Sequence, residues 1–384
     1  MGLLAAKTSS MVDHELPAKS GKYYRLVDVI RGISILLVLI RHFQLSYRLT
    51  DGFFGDILPG WFLTPLTGNG NYGVVMFFVI SGFLITSRTL ERFGELKNIE
   101  FRNFYVFRFS RIAPNITLMV SVVVLLGLLG IKIFENDPNG PSLFITVASI
   151  ATFTHNLLME KFGYFNYCLN ILWSLSVEEV FYLFFPMACL FFRRKKWIVA
   201  FWVLFVFISP IYRFAHRNDP TDIYGLYDYL ACFDGIAIGC IVANAKKSFV
   251  TTGKSSYLIP VFSIGAAGVY FYGSIWSNVT FGVSAISLLI GLILLVMPLS
   301  PKGEKVAPHF RLIRAFGKYS YELYLFHVVL LAFLKMRVGK AEMSYYGKPL
   351  WFLSYLGISF FVSAMVSHFY AEPLNKKLRL TFSQ

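Results

Sequence analysis

Charge is scarce in this sequence. Of its 384 residues only 15% are Asp, Glu, Lys or Arg, where soluble domains carry nearer a quarter. A solvated globular domain is therefore the wrong class. Cysteine is scarcer still. Cys168, Cys189, Cys232 and Cys240 show no C-x-x-C or metal-type spacing, and three of them sit in apolar stretches, where an inert buried thiol is expected. That leaves no redox motif and no candidate metal ligands. Internal repeats, low-complexity tracts and linkers long enough to separate two domains are also missing. Residues 1–25 are polar and mixed in charge, without the pattern of a cleavable signal peptide.

What is abundant is apolar surface. Hydrophobic residues make up 56% of the chain and mean hydropathy is +0.60. Basic residues outnumber acidic ones by 36 to 21, but they come in short clusters between apolar runs. That is how the cytoplasmic loops of membrane proteins look, and it argues against a nucleic-acid partner. Runs long enough to cross a bilayer, roughly 20 residues each, fall near 26–45, 73–88, 112–133, 143–159, 175–192, 197–213, 229–245, 257–273, 279–299, 319–336 and 350–370. If all of these crossed, Arg193-Arg194-Lys195-Lys196 would lie opposite the basic N-terminus, against the positive-inside rule. Treating 143–171 as a re-entrant or interfacial segment removes the conflict. The expected fold is thus an all-α polytopic membrane protein with about ten transmembrane helices. It has an N-terminal tail over 1–24, a membrane domain over 25–373 and a C-terminal tail over 374–384. Both termini are expected in the cytoplasm.

Ionisable residues inside such spans are costly and mark function by default. Arg31 and His42 share the first span, eleven residues and about three turns apart, so they project from one face. Asp28 precedes Arg31 by three residues, the spacing of a helical ion pair, and that pair is equally readable as structural. The second span, with Ser81-Gly82, offers small residues for close helix approach. Arg108 and Arg111 share a face where the third span begins. They suit phosphate recognition or, as plainly, lipid anchoring. In Trp173-Ser174-Leu175-Ser176-Val177-Glu178-Glu179 a serine is placed to cap the fourth span, and two adjacent carboxylates exceed what capping needs. Glu178 is expected at the depth of His42, where it would orient the imidazole. Tyr321 reads as an interfacial belt residue, and His327, deep in a late span, as a functional group or a satisfied core histidine.

Taken together, these segments resemble the acyltransferase 3 family of membrane O-acyltransferases over about Tyr24 to Glu372. Leu26 to Gly32 is similar to that family's LDGLRG opening, and Arg31 and His42 fit its Arg-x10-His motif. GVVMFFVISGFLI at 73–85, Arg108-x-x-Arg111, WSLSVEEVFYLFFP at 173–186 and YSYELYLFH at 319–327 resemble four further motifs in the same order. Val27, Val29 and Val180 depart from the pattern, and the Val180 change removes a polar group beside Glu179. The resemblance is to the stand-alone form of the family, in which no esterase-like domain is expected after the last span.

The resemblance implies transfer of an acyl group, usually acetyl, from cytoplasmic acetyl-CoA or another acyl-CoA. The acceptor would be a hydroxyl of an extracytoplasmic carbohydrate such as O-antigen. The protein would sit in the bacterial inner membrane with no permanently bound cofactor. Arg31, Arg108 and Arg111 are expected to bind acyl-CoA, with His42 as catalytic base supported by Glu178. Asp28, Trp173, Ser176, Glu179, Tyr182, Tyr321 and His327 are expected as acceptor-binding or supporting residues. A transporter or flippase of a lipid-linked sugar is the competing class, since it too needs polar groups inside a helical bundle.

Overall fold

The computed structural model describes residues 24–221, 223–247, 253–298 and 308–382. The expected N-terminal tail lies outside them except for Tyr24. Among the described residues there is no strand, only an isolated antiparallel bridge between Asn136 and Asn166. Ten helices run fourteen residues or more: α1 Arg25–Tyr47, α2 Asn71–Phe93, α3 Phe101–Leu128, α4 Trp173–Phe191, α5 Lys195–Ala215, α6 Tyr229–Lys246, α7 Leu258–Phe271, α8 Val279–Val296, α9 Ser320–Arg337 and α10 Gly347–Val366. Each lies at one of the ten expected spans. Among the described residues, seven helices qualify to cross a membrane by length and apolar composition alone. The other three are α1 and α9, which carry charged residues, and α7, which has 14 residues.

The 143–171 segment folds as expected of a part that does not cross. It contains two short helices, Leu143–Ala151 and His155–Phe162. At 1.5 Å per residue each spans roughly 12–14 Å, under half of a ~30 Å hydrocarbon core. Between them Phe153 takes a positive φ of 58°, and Tyr229 donates a hydrogen bond to its carbonyl at 2.5 Å. Asn166 pins the next loop. Its amide nitrogen donates to Asn136 Oδ1 at 2.8 Å, and its oxygen accepts from the backbone N–H groups of Cys168 and Leu169. These backbone groups of the irregular segment are thus satisfied by protein groups.

Small residues set the helix spacing. A Cβ placed on Gly82 of α2 would overlap the carbonyl oxygen of Ile236, and one on Gly239 of α6 would overlap that of Val79. The two backbones therefore touch, as small-residue interfaces allow in membranes. The helix Pro308–Lys318 seats on α1 in the same way through Gly32 and Gly317. All four cysteines are buried free thiols. The stretch expected as a C-terminal tail enters a helix, Glu372–Phe382, reached from α10 through a π-helical turn at Ser367–Ala371 and packed against α3.

A buried ion pair missed by sequence reading ties α5, α6 and α8. Arg213 and Asp234 are 0% and 1% exposed, with Nη2 to Oδ2 at 2.6 Å and Nη1 to Oδ1 at 3.2 Å. Ser284 Oγ accepts from Arg213 at 2.6 Å and donates to Asp234 at 2.7 Å. Removing one member of such a pair strands the other charge, at a cost of about 3–5 kcal/mol. Arg213→Leu should therefore lower the unfolding midpoint of detergent-solubilised protein sharply, and adding Asp234→Leu should recover most of the loss. A double variant no more stable than the single would count against this account.

The short helix His155–Phe162 is held by a second carboxyl contact. Burial, a hydrogen bond to Asp228 and that carboxylate's charge push Glu160 up to about 8. The folded chain thus keeps a proton that the unfolded chain releases near the usual glutamate value of about 4.3. The stability this contributes is complete below about pH 4.3 and lost as pH rises through 8. The unfolding midpoint should fall across that window, and Glu160→Gln should flatten the fall.

Candidate active site

Three cavities succeed one another along the bundle. At the end where α1 begins, an arginine-lined mouth of about 440 Å³ is walled by Asp28, Arg31, Arg88, Arg92, Arg108, Arg111 and Arg379. It shares Arg31, Leu84, Arg108 and Arg111 with a waist of about 110 Å³. The waist in turn shares Val74 and Tyr324 with an outer chamber of about 940 Å³. Polar groups that lipid would reject thus face a common interior path.

At the waist, Glu178 Oε2 accepts hydrogen bonds from Tyr182 at 2.8 Å and Ser81 at 3.1 Å, and the two hydroxyls also contact each other. Ser81 of α2 thus reaches across to α4, while its neighbour Gly82 packs against α6. Arg108 stacks on the Tyr182 ring, its guanidinium carbon 3.6 Å from the ring centre. Charge, ring and carboxylate therefore form one stack across α3 and α4, a cation–π contact joined to a charge-assisted hydrogen bond.

The outer chamber holds His42, whose partner is His327 of α9. His327 Nδ1 lies 2.9 Å from the carbonyl oxygen of Leu323, and its Nε2 lies 3.2 Å from His42 Nδ1. His42 Nδ1 is also 2.9 Å from the Val38 carbonyl. Carbonyl oxygens only accept, so the network assigns His327 a proton on Nδ1 and leaves its Nε2 as an acceptor. His42 then carries its proton on Nδ1 and keeps a free lone pair on Nε2. That is the tautomer of a base.

The structure brings some of the expected residues together and separates others. Asp28, Arg31, Arg108 and Arg111 meet at the mouth. Glu178 does not orient His42; it is bonded to Ser81 and Tyr182 at the waist, and His327 fills the role expected of it. Nor does a serine cap α4. The helix begins at Trp173 without a side-chain cap, and Ser174 lies inside it, bonded to the Tyr324 hydroxyl at 2.6 Å. Ser176 is buried within α4. Trp173 lines the outer chamber, its ring 4.5 Å from that of Tyr227. Tyr321 lines the waist and donates to the Ile112 carbonyl at 3.1 Å, so it is not a belt residue. Glu179, half-buried, follows Glu178 on α4, one carboxylate oxygen buried and without a hydrogen-bond partner among the described residues.

Sequence reasoning missed Tyr324, which walls both waist and outer chamber. The signal was there: Tyr321, Tyr324 and His327 recur every three residues on one helix face. It also missed Ser81, Arg92 and Arg379.

Fold and site together define an integral helical membrane protein whose ionisable side chains line an interior path between its two ends. The family model for the acyltransferase domain matches residues 24–368, and the chain belongs to that family, the one its motifs resemble. It is 24% identical over 360 residues to the O-acetyltransferase OatA of Staphylococcus aureus, covering 85% of this chain and 54% of that protein. It is 29% identical over 182 residues to the peptidoglycan O-acetyltransferase OatA of Listeria monocytogenes, covering 47% of this chain and 26% of that protein. The chain thus spans about half, or less, of the curated relatives it matches. No solved structure matches it.

The waist yields a stability prediction. Glu178→Leu leaves the Ser81 and Tyr182 hydroxyls without their acceptor, a loss of about 1–3 kcal/mol, whereas Glu178→Gln keeps an acceptor oxygen. Thermal unfolding should show a clear deficit for the leucine variant and most of wild-type stability for the glutamine.

Proposed function

We propose that this protein is a membrane O-acyltransferase. It takes an acyl group, acetyl in the first instance, from acyl-CoA on the cytoplasmic side. It places that group on a hydroxyl of an extracytoplasmic envelope glycan. The names of the two relatives make O-acetylation, and peptidoglycan as acceptor, the first to try. The observation that carries the reading is the order of chemistry along the path. An arginine-lined mouth suits phosphates, a narrow waist suits an extended arm, and a base stands at the wide outer chamber.

In this reading both termini lie in the cytoplasm and the protein sits in the bacterial plasma membrane. Arg31, Arg108 and Arg111 bind the CoA phosphates, since guanidinium forks match phosphate oxygens. The pantetheine arm passes the waist and presents the thioester beneath His42. His42 Nε2 takes the acceptor hydroxyl proton while the oxygen attacks the thioester carbonyl. The C–S bond then breaks, the proton passes from the imidazolium to the departing thiolate, and CoA leaves as the free thiol. The Val38 carbonyl and His327 Nε2, both acceptors facing His42 Nδ1–H, stabilise the imidazolium while it exists. Asn71, Asn136, Asn170, Trp173, Tyr227 and Trp276 on the outer chamber wall supply amides and rings that suit a sugar.

The transporter reading draws less support. The waist that links mouth and outer chamber holds only about 110 Å³ and is crossed by the Ser81–Glu178–Tyr182 hydrogen bonds, little room for a lipid-linked sugar.

The test is labelled acetyl-CoA turnover by purified protein offered envelope glycans. His42→Ala should cut transfer by about 10²–10⁴-fold, the usual worth of a general base. His327→Ala should cut it less, because His42 remains. Correctly inserted His42→Ala protein with undiminished transfer would sink the mechanism.

A further inference from the structure

The arginines at the mouth fall into two tiers. Arg31, Arg108 and Arg111 form the inner tier, shared with the waist, whereas Arg92 and Arg379, together with the Glu91-bound Arg88, wall the mouth alone. The outer pair is built around one ring. Phe107 carries the Arg92 guanidinium carbon 3.5 Å from its centre and that of Arg379 at 4.9 Å. Among the described residues neither makes an ion pair; the neighbouring acid, Glu91, is bonded to Arg88 at 2.9 Å. Arg379 Nε is buried and without a hydrogen-bond partner there. Two cations on one ring, with no counter-charge between them, repel each other unless an anion joins them. Arg379 arrives on the helix Glu372–Phe382, beyond residues 24–368 that match the family model.

The donor also has two tiers. Its diphosphate adjoins the pantetheine arm, and a separate phosphate monoester sits on the 3′ carbon of the ribose, farther from the thioester. With the thioester directed toward His42, the diphosphate falls at the inner tier and the 3′-phosphate at the outer. We propose that Arg92 and Arg379 form a second anion subsite that reads the 3′-phosphate of the coenzyme A donor. The proposal rests on the acyl-CoA reading above and adds to it a specificity: CoA over 3′-dephospho-CoA. The C-terminal helix is then part of the donor site. An anionic lipid headgroup offers similar phosphate chemistry, so the bilayer composition is a variable of the test.

The experiment is equilibrium binding of CoA and of 3′-dephospho-CoA to the full-length protein in phosphatidylcholine nanodiscs. Wild type should bind CoA about ten-fold more tightly or better, the worth of one charge-assisted contact. Arg379→Gln and Arg92→Gln should each lose most of that preference while binding 3′-dephospho-CoA as wild type does. Each variant is its own folding control, because a damaged bundle weakens both ligands together. Equal wild-type affinity for the two ligands overturns the subsite while leaving the donor reading intact. So does an Arg379→Gln protein that keeps both wild-type affinities. Binding of neither ligand overturns the donor reading itself, and the subsite with it. If phosphatidylglycerol in the nanodisc erases the wild-type preference, the pair is a lipid site and the proposal fails.

Discussion

Hydrocarbon cannot solvate a charge, and this one constraint arranges the molecule. Every ionisable side chain within the bundle must turn inward and find protein or a wet cavity. Arg213 and Asp234 meet it by pairing with each other at full burial. Arg31, Arg108, Arg111 and Glu178 meet it by lining a path. His42 and His327 meet it by sharing a proton donor and an acceptor between two helices. The helices can bring these groups within reach because glycines at Gly82 and Gly239 let backbones touch. Packing and chemistry are thus the same problem solved once.

Much of this was legible in the sequence. Charge scarcity and run length give a helical membrane protein, and the basic clusters place 143–171 outside the count of crossings; its helices of nine and eight residues agree. Arg31 and His42 on one face, and Arg108 with Arg111, do line the interior as their spacing implies. What sequence could not supply was the azimuth of one helix against another. Depth alone suggested that Glu178 faces His42. Which side chain meets which depends on helix rotation, and rotation puts Glu178 against Ser81 and His327 against His42. Arg213 and Asp234 escaped notice because 21 residues separate them and each alone looks like a span-end charge. Arg379 escaped because a short polar stretch after a last span reads as a tail.

In the proposed mechanism the two histidines prepare a base without a carboxylate beside it. A carboxylate beside His42 would raise its basicity but bring a charge into the bundle that needs its own partner. A neutral imidazole, itself held by the Leu323 carbonyl, fixes the tautomer at no such cost. The waist carboxylate is instead engaged with two hydroxyls and the arginine-stacked ring, away from the proposed proton transfer.

The narrowness of the waist bears on the cell as well as on the reaction. A bacterial membrane stores energy as a voltage, worth about 2.3 kcal/mol for each elementary charge moved across 100 mV. Any continuous water-filled bore would discharge it. Between chambers of about 440 and 940 Å³ lies a cavity of about 110 Å³, walled by Arg31, Arg108 and Arg111, whose positive charge disfavours cations there. In the proposed reaction the bundle would admit one thin flexible chain at a time and still keep the membrane electrically tight.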